Sequence, residues 1–389
     1  MNLPDNIFTI YSGREEVKLS RPQFAYAWYD QYKINLLSGK KEKTSPAQLH
    51  AFLDEFYFVD NHQKTVIHLT YEFGFYYLLD NYQYKKETLL GIVIGYEKKE
   101  RFYPESGPRV KLGQISSPSW EKYTQAFKKG RKKLLNGDCY QFNLTFPFQF
   151  AFKGQTSTDF VNQFFASRAQ RGAYAHVTWL PYFNTMILSN SPECLFQMRK
   201  NKLGFLCWSM PIKGSIKVSS PRKFNGAWSA LKKSKKDQAE LFMISDMLRN
   251  DLSRIEQPQA QIIKKKIPLM VPQILHQCSL IKVQLSEKIT LGQIIKNIFP
   301  GGSITGAPKK RVVEILRDLE DYDRGFYTGS TIILDDEVMA ASINIRTAEI
   351  DFNKGKLLYK SGGGITLLSN IRAEFKEMEL KLLSFLKIF

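Results

Sequence analysis

The chain has 389 residues, 43% hydrophobic and 13% aromatic, enough apolar material for one large core or two average domains, which excludes a disordered or fibrous polypeptide. A net charge of +19 raises nucleic acid as a partner, but the lysines fall in short separate runs (Lys128 to Lys133, Lys232 to Lys236, Lys264 to Lys266) with no recognition motif, so no nucleic-acid surface is expected. No apolar run reaches membrane-spanning length, the N-terminal MNLPDNIFTIYSGREE has no signal-peptide core, and Cys139, Cys194, Cys207 and Cys278 form no CxxC pair, so the expectation is a cytoplasmic protein with reduced thiols, no membrane span and no zinc site.

Residues 1 to about 110 alternate apolar runs with polar breaks: Phe24 to Trp28, Thr65 to Leu69, Phe73 to Leu79 and Leu89 to Gly95. Aromatic and β-branched residues dominate, which predicts strands with room for one helix between them. This part carries no catalytic constellation and is expected to belong to the same unit as the rest. A Pro/Ser/Gly-containing break, Tyr103 to Ser119, precedes a predicted helix from Trp120 to Leu135, closed by Asn136-Gly137. A strand through Gly137 to Thr145, a short helix near Thr158 to Arg168, and strands over Ala173 to Leu180 and Asn184 to Ser189 follow. Pro192 then ends the second of these and leaves Glu193 at a strand-to-turn edge.

Met210-Pro211-Ile212-Lys213-Gly214-Ser215 sets a lysine in an apolar neighbourhood, where desolvation lowers an amine's proton affinity and favours nucleophilic character. Taken alone, one lysine among 56 basic residues is better read as a solvated surface group. A helix from Lys236 to about Ile255 brings Asp237 and Glu240 together at i and i+3. Ile274 to Ser279 is strand-like and contains His276. Pro300 to Pro308, with three glycines and two hydroxyl residues, reads as an anion-binding turn before an amphipathic helix from Lys309 to about Asp321. Alternation through Ala341 to Thr347 places Arg346 on the face of Ser342 and Asn344. Ser361-Gly362-Gly363-Gly364-Ile365 reads as a second glycine turn. The last helix, Ile371 to about Leu386, repeats the carboxylate pair with Glu374 and Glu377 and adds Lys381 one turn on. Two helices that each present such a pair can jointly hold a hard divalent cation such as Mg²⁺; read singly, the pairs are ordinary solvated carboxylates.

The series PIKGS, DQAELFMISDMLRNDLSRI, HQCSLIKVQL, FPGGSITGAPKKRVVEILRDLE, SINIRTAEI and GGGITLLSNIRAEFKEMELKL, in this order, resembles the chorismate-utilising enzymes from about residue 115 to the end, and weakly before it. That family includes anthranilate, aminodeoxychorismate, isochorismate and salicylate synthases. The fold implied is α+β: a large two-sheet antiparallel β sandwich with outer helices, joined by the N-terminal strands. Within the family, aminodeoxychorismate synthases resemble this chain in carrying a PIKG[ST] lysine that attacks the chorismate ring, where anthranilate synthases have alanine.

By the same resemblance, Lys213 is the nucleophile, with Glu193 and His276 as proton donors or acceptors. Glu240 and Glu377 match the Mg²⁺ ligands, and Asp237 and Glu374 the carboxylates that support them. Arg346, Thr305, Lys381 and the backbone at Gly302, Gly306, Gly363 and Gly364 are expected to bind substrate. The implied reaction joins chorismate and ammonia to give 4-amino-4-deoxychorismate, with ammonia from a separate glutamine amidotransferase subunit and a downstream aminodeoxychorismate lyase acting on the product. The chain departs from the family where Ile332-Ile333 replaces a common Gly-Tyr pair, which removes one expected tyrosine contact. The N-terminal part shows no convincing tryptophan-binding signature. The alternatives are an anthranilate synthase component and, from another class, a basic nucleic-acid-binding protein.

Overall fold

Alternation of apolar and polar residues builds most of this molecule. In Gln141–Ala151, Phe142, Leu144, Phe146, Phe148 and Phe150 share one face, and all are buried. That strand pairs antiparallel with Lys356–Ile365 over its whole length, from Ala151 opposite Lys356 to Phe142 opposite Ile365. The computed structural model describes residues 7–56, 58, 64–218, 220–271 and 274–389; the first six residues, on which part of the N-terminal reading rests, lie outside them.

The antiparallel pairings follow one continuous order. It starts at Gln261–Val271 and passes through Ile274–Leu285, Gly204–Met210, Cys194–Asn201, Met339–Ile343, Ser330–Leu334, Lys64–Leu69 and Leu89–Arg101 to the long strand Glu16–Tyr29. From there it continues through Phe8–Ser12, Tyr174–Leu180, Thr185–Ser191 and Thr347–Asp351 to Lys356–Ile365 and Gln141–Ala151. The path folds back on itself at Glu16–Tyr29, so two antiparallel layers face each other, continuous through that strand. The fold is α+β with the helices outside. Strands of the first 110 residues pair directly with those of the rest of the chain: His68 stands opposite Thr331, and Thr9 opposite Thr178.

Four helices matter for the site. α1 (Trp120–Leu135) is capped by Ser119 and buries Tyr123, Phe127 and Leu134. α2 (Lys235–Ser253), capped by Ser234, buries Leu241, Ile244 and Leu252 and packs on Ile274–Leu285. α3 is Lys309–Leu319. α4 (Ile371–Leu386), capped by Asn370, packs on Lys356–Ile365 and stacks Phe385 on Tyr359 at 4.5 Å between ring centres. No helix among the described residues is long and apolar enough to cross a membrane.

Local structure departs from the sequence expectation in four places. The aromatic run Phe73 to Leu79 is helical, from Gly74 to Leu78, because its rings pack among themselves and against Phe299 instead of spreading over a sheet. Ser361 to Gly364 is not a turn. It continues the strand Lys356–Ile365, and glycine is needed because a Cβ at Gly362 would collide with the Leu144 carbonyl of the neighbouring strand. The glycine turn after Pro300 contains a one-turn helix, Gly302–Thr305. Finally, the strand Met339–Ile343 stops before Asn344, and Arg346 takes a φ of +54°. Ser342 and Asn344 bond to each other at 2.9 Å, and Arg346 is turned elsewhere.

The space between the layers is partly polar. His68 is fully buried and contacts Thr331 Oγ1 at 2.8 Å through Nδ1 and Thr178 Oγ1 on the facing layer at 2.9 Å through Nε2. Thr9 bonds Tyr96 across the same gap at 2.9 Å. His176 lies 5.8 Å from His68, ring to ring. Burial lowers both imidazoles, His68 well below its ordinary 6.5 and His176 to about 4. The unfolded chain therefore gains protons as pH falls below 6.5 while the folded protein does not until about 4. The stability these neutral histidines allow is complete above pH 6.5 and is lost through that window. Urea unfolding is expected to show a loss on the order of a few kcal/mol on acidification, with a shallower slope in His176→Gln.

Candidate active site

Lys213 lies on Ile212–Lys217, opposite Gln277, and Ser215 stands opposite His276. The pairing is irregular between Lys213 and Ser215, where Gly214 has φ +76°. A side chain there would be strained, and its Cβ would lie 3.1 Å from Asp237 on α2. Glycine thus lets the start of α2 come close beside the lysine strand. The ammonium of Lys213 donates to the Ser303 carbonyl at 3.2 Å.

Around Lys213 is a cavity of about 190 Å³, sized for a small molecule and not for a polymer. One side comes from the lysine strand and α2, the other from Lys356–Ile365 and α4. Glu193, Lys213, Asp237, Glu240, His276, Arg346, Gly364, Glu374, Glu377 and Lys381 all line it. Residues more than 180 positions apart are thus brought to one place.

Glu193 follows Pro192 at the end of Thr185–Ser191 and is 4% exposed. Burial raises its carboxyl above the ordinary range, against the pull of Ser303 and Lys213, and its Oε1 has no hydrogen-bond partner. The Nδ1 of His276 faces Ser215 Oγ at 2.9 Å and the Gly214 carbonyl at 3.2 Å. A proton on Nδ1 satisfies that carbonyl and leaves Nε2, buried and without a partner, as an acceptor. Burial, assisted by Arg346, brings this imidazole down to about 4, so it is neutral at neutral pH. Arg346 is half-buried, and its guanidinium has no carboxylate in ion-pair contact among the described residues. That is what an anion receptor requires. Lys381 donates to the Gly362 carbonyl at 2.8 Å and pairs with Glu377 at 3.0 Å, which holds the Glu377 carboxyl below its ordinary range.

The turn after Pro300 contributes Ser303 and Ile304 to the cavity, not the residues singled out in the sequence. Thr305 is fully buried and donates back to the Gly301 carbonyl at 3.0 Å. Gly302 packs on Met247, and Gly306 on the backbone of Gln141 and Phe142. A Cβ at Gly363 would come 3.6 Å from Glu374 and 3.9 Å from the Lys381 ammonium. Ile332 and Ile333 lie in Ser330–Leu334, outside the lining, where Tyr327 and Tyr359 do appear.

The acidic residues fit a hard cation by chemistry: all donors are oxygens, contributed by two facing helices. Glu240 is 8% exposed, and its Oε1 is buried without a hydrogen-bond partner. Burial raises this carboxyl above its ordinary range, while Lys213 and Lys236 act against that. Among the described residues, no three ligand groups converge closely enough to hold an ion as they stand. Lys236 lies among them, with Nζ 2.6 Å from Glu374 Oε1 and 3.7 Å from Glu240 Oε1. Sequence reasoning missed Lys236. Its signal was the i,i+4 spacing to Glu240, which looks the same as a solvated helix pair.

The family described as chorismate binding enzyme matches residues 11–387. Aminodeoxychorismate synthase component 1 of Salmonella typhimurium is 34% identical over 258 residues, 66% of this chain and 54% of that protein. The protein of the same name from Escherichia coli is 31% identical over 287 residues, 72% of this chain and 60% of that one. The chain thus spans little more than half the length of these relatives. In fold, it superposes on anthranilate synthase component I from Streptococcus pneumoniae with a TM-score of 0.75 at 18% identity, covering 99% of this chain and 93% of that one.

Proposed function

The chain belongs to the chorismate-binding enzymes, and from that premise we propose that it converts chorismate and ammonia into 4-amino-4-deoxychorismate, with Lys213 as a covalent nucleophile. The observation that supports this reading most is the lysine itself. An amine stands in the same small cavity as a protonatable buried carboxyl, a neutral imidazole and a guanidinium that has no carboxylate partner among the described residues.

Chorismate carries two carboxylates and a poor leaving group, the C4 hydroxyl. Arg346 is suited to the enolpyruvyl carboxylate, since its fork matches two oxygens. Lys213, as the free amine, forms a bond to C2 while both conjugated ring double bonds shift by one position and the C4 oxygen departs with its bonding pair. Glu193, whose carboxyl burial shifts toward its protonated form, supplies the proton that makes the leaving group water. Ammonia then adds at C4, both double bonds shift back, and the C2–N bond breaks to return Lys213 as an amine. His276 Nε2 accepts the proton that the incoming ammonium must lose. Two displacements through an amine replace one difficult displacement. Asp237, Glu240, Glu374 and Glu377 are the residues that would hold Mg²⁺, which when bound neutralises the ring carboxylate in an otherwise acidic corner.

The relatives are named component 1, which supports a separate glutamine amidotransferase subunit as the ammonia source. A lyase acting on the product, for p-aminobenzoate and folate synthesis, completes the reading, with the cytoplasm as the place of action. The test is product identification from chorismate, ammonium and Mg²⁺. Aminodeoxychorismate is expected, detected as p-aminobenzoate once a lyase is added. Fluorescent anthranilate formed without a lyase would instead establish the anthranilate synthase reading.

A further inference from the structure

The geometry points to Lys236 as an internal stand-in for the divalent cation: we propose that its ammonium ties the two carboxylate-bearing helices together while the metal is away, and swings out to solvent when the metal enters. The inference rests on the reading that these carboxylates hold such a cation.

Lys236 sits in the first turn of α2, and its Nζ lies 2.6 Å from Glu374 Oε1 on α4 and 3.7 Å from Glu240 Oε1 one turn along its own helix. These are carboxylates from both sides of the proposed site. Glu374 is 3% exposed and Glu240 8%, so with no cation between them two buried like charges would face each other. The ammonium meets only part of that need. It is within hydrogen-bond distance of Glu374, while Glu240 Oε1 has no hydrogen bond at all. A small divalent ion draws several oxygens to itself at once, which a single ammonium on a tether does not do here.

Among the described residues, Lys236 is the cavity lysine that pairs with carboxylates of both helices; Lys381 reaches only Glu377, on its own helix. Lys213 donates to Ser303, and Lys381 is fixed between Gly362 and Glu377. Lys236 also has a way out, because its side chain is 35% exposed and its stem is flexible, so it can leave without a backbone change. A divalent ion drawn between Glu240 and Glu374 and an ammonium that reaches both do not occupy the same place, since their repulsion at such range is strong. Entry of the metal is thus exchange of one cation for another. Lys236 thereby keeps the metal-free site folded and lowers the site's metal affinity.

The test labels surface amines of the wild-type chain with an acylating reagent, with and without saturating Mg²⁺, and quantifies each lysine by mass spectrometry. Calorimetry with Mn²⁺ on the wild type and on Lys236→Met accompanies it. Labelling of Lys236 is expected to rise roughly tenfold on metal addition while Lys129 stays unchanged, and Lys236→Met is expected to bind Mn²⁺ roughly tenfold tighter. In EDTA the variant is expected to unfold at lower temperature than the wild type. Metal binding by calorimetry with Lys236 still protected would overturn the exchange and leave the metal reading intact. No binding heat for either protein would overturn both. If Lys236→Met does not fold, the labelling result on the wild type decides alone.

Discussion

Replacing Lys213 by alanine is expected to lower formation of the aminated product by about three orders of magnitude or more, with little change in stability. The side chain is partly exposed and makes one hydrogen bond, to a carbonyl, so its loss leaves no large void, and Lys236 still stands 3.7 Å from Glu240. Lys213→Arg separates the possible roles: it keeps a cation near Glu193 and Glu240 but cannot supply a free amine at working pH. Both variants should be inactive if the amine bonds to C2. An active Lys213→Arg would mean that only the charge is needed. Mass spectrometry of the quenched wild-type enzyme should find the substrate skeleton on the peptide containing Lys213 and on no other.

The largest expected loss of stability comes from Arg324, which is 1% exposed and lies outside the cavity. Its Nε and Nη2 each donate to Glu320 at 2.8 Å, Nη2 also donates to the Asn143 carbonyl at 2.6 Å, and Nη1 donates to the Ile304 carbonyl at 3.0 Å. Its guanidinium stacks 4.5 Å over Tyr71, and its backbone N–H donates to Glu72 at 2.7 Å. Asn143 and Ile304 are walls of the active-site cavity, so this clamp joins two of those walls from behind. Arg324→Met strands the Glu320 carboxylate in the core, and unfolding in urea should show a loss of about 3–5 kcal/mol. Adding Glu320→Met removes that stranded charge and should recover a substantial part. If the single variant costs less than about 1 kcal/mol, water reaches the pair and the clamp is not buried as described.

Much of the site was legible because its chemistry rides on regular elements. Asp237 with Glu240, and Glu374 with Glu377, follow helical spacing in segments with clear apolar stripes, and α1 and α4 have the bounds that the sequence predicts. Pro192 does end a strand at Glu193. What stayed hidden depends on tertiary contact. Gly362 to Gly364 look like a turn until the neighbouring strand at Leu144 shows why side chains are excluded. The alternation around Asn344 suggests a continuing strand, yet Arg346 reaches the cavity through a left-handed residue that no periodicity records. Lys236 and Arg324 read as two more charges in a basic chain, and only their buried partners make them distinctive.

The hydrogen bonds between the layers, from His68 to Thr178 and from Tyr96 to Thr9, have a mechanical consequence. A purely apolar seam between two sheets behaves as a slip plane, because the dispersion attraction forfeited on one side is regained on the other after a small glide. Directional bonds have no such neighbouring minimum, so shear by even an ångström breaks them in the buried interior. The seam therefore resists shear far more than it resists bending. Since α2 rides on one layer and α4 on the other, this stiffness keeps the two halves of the site in register lengthwise, and leaves opening and closing across the cavity as the soft motion.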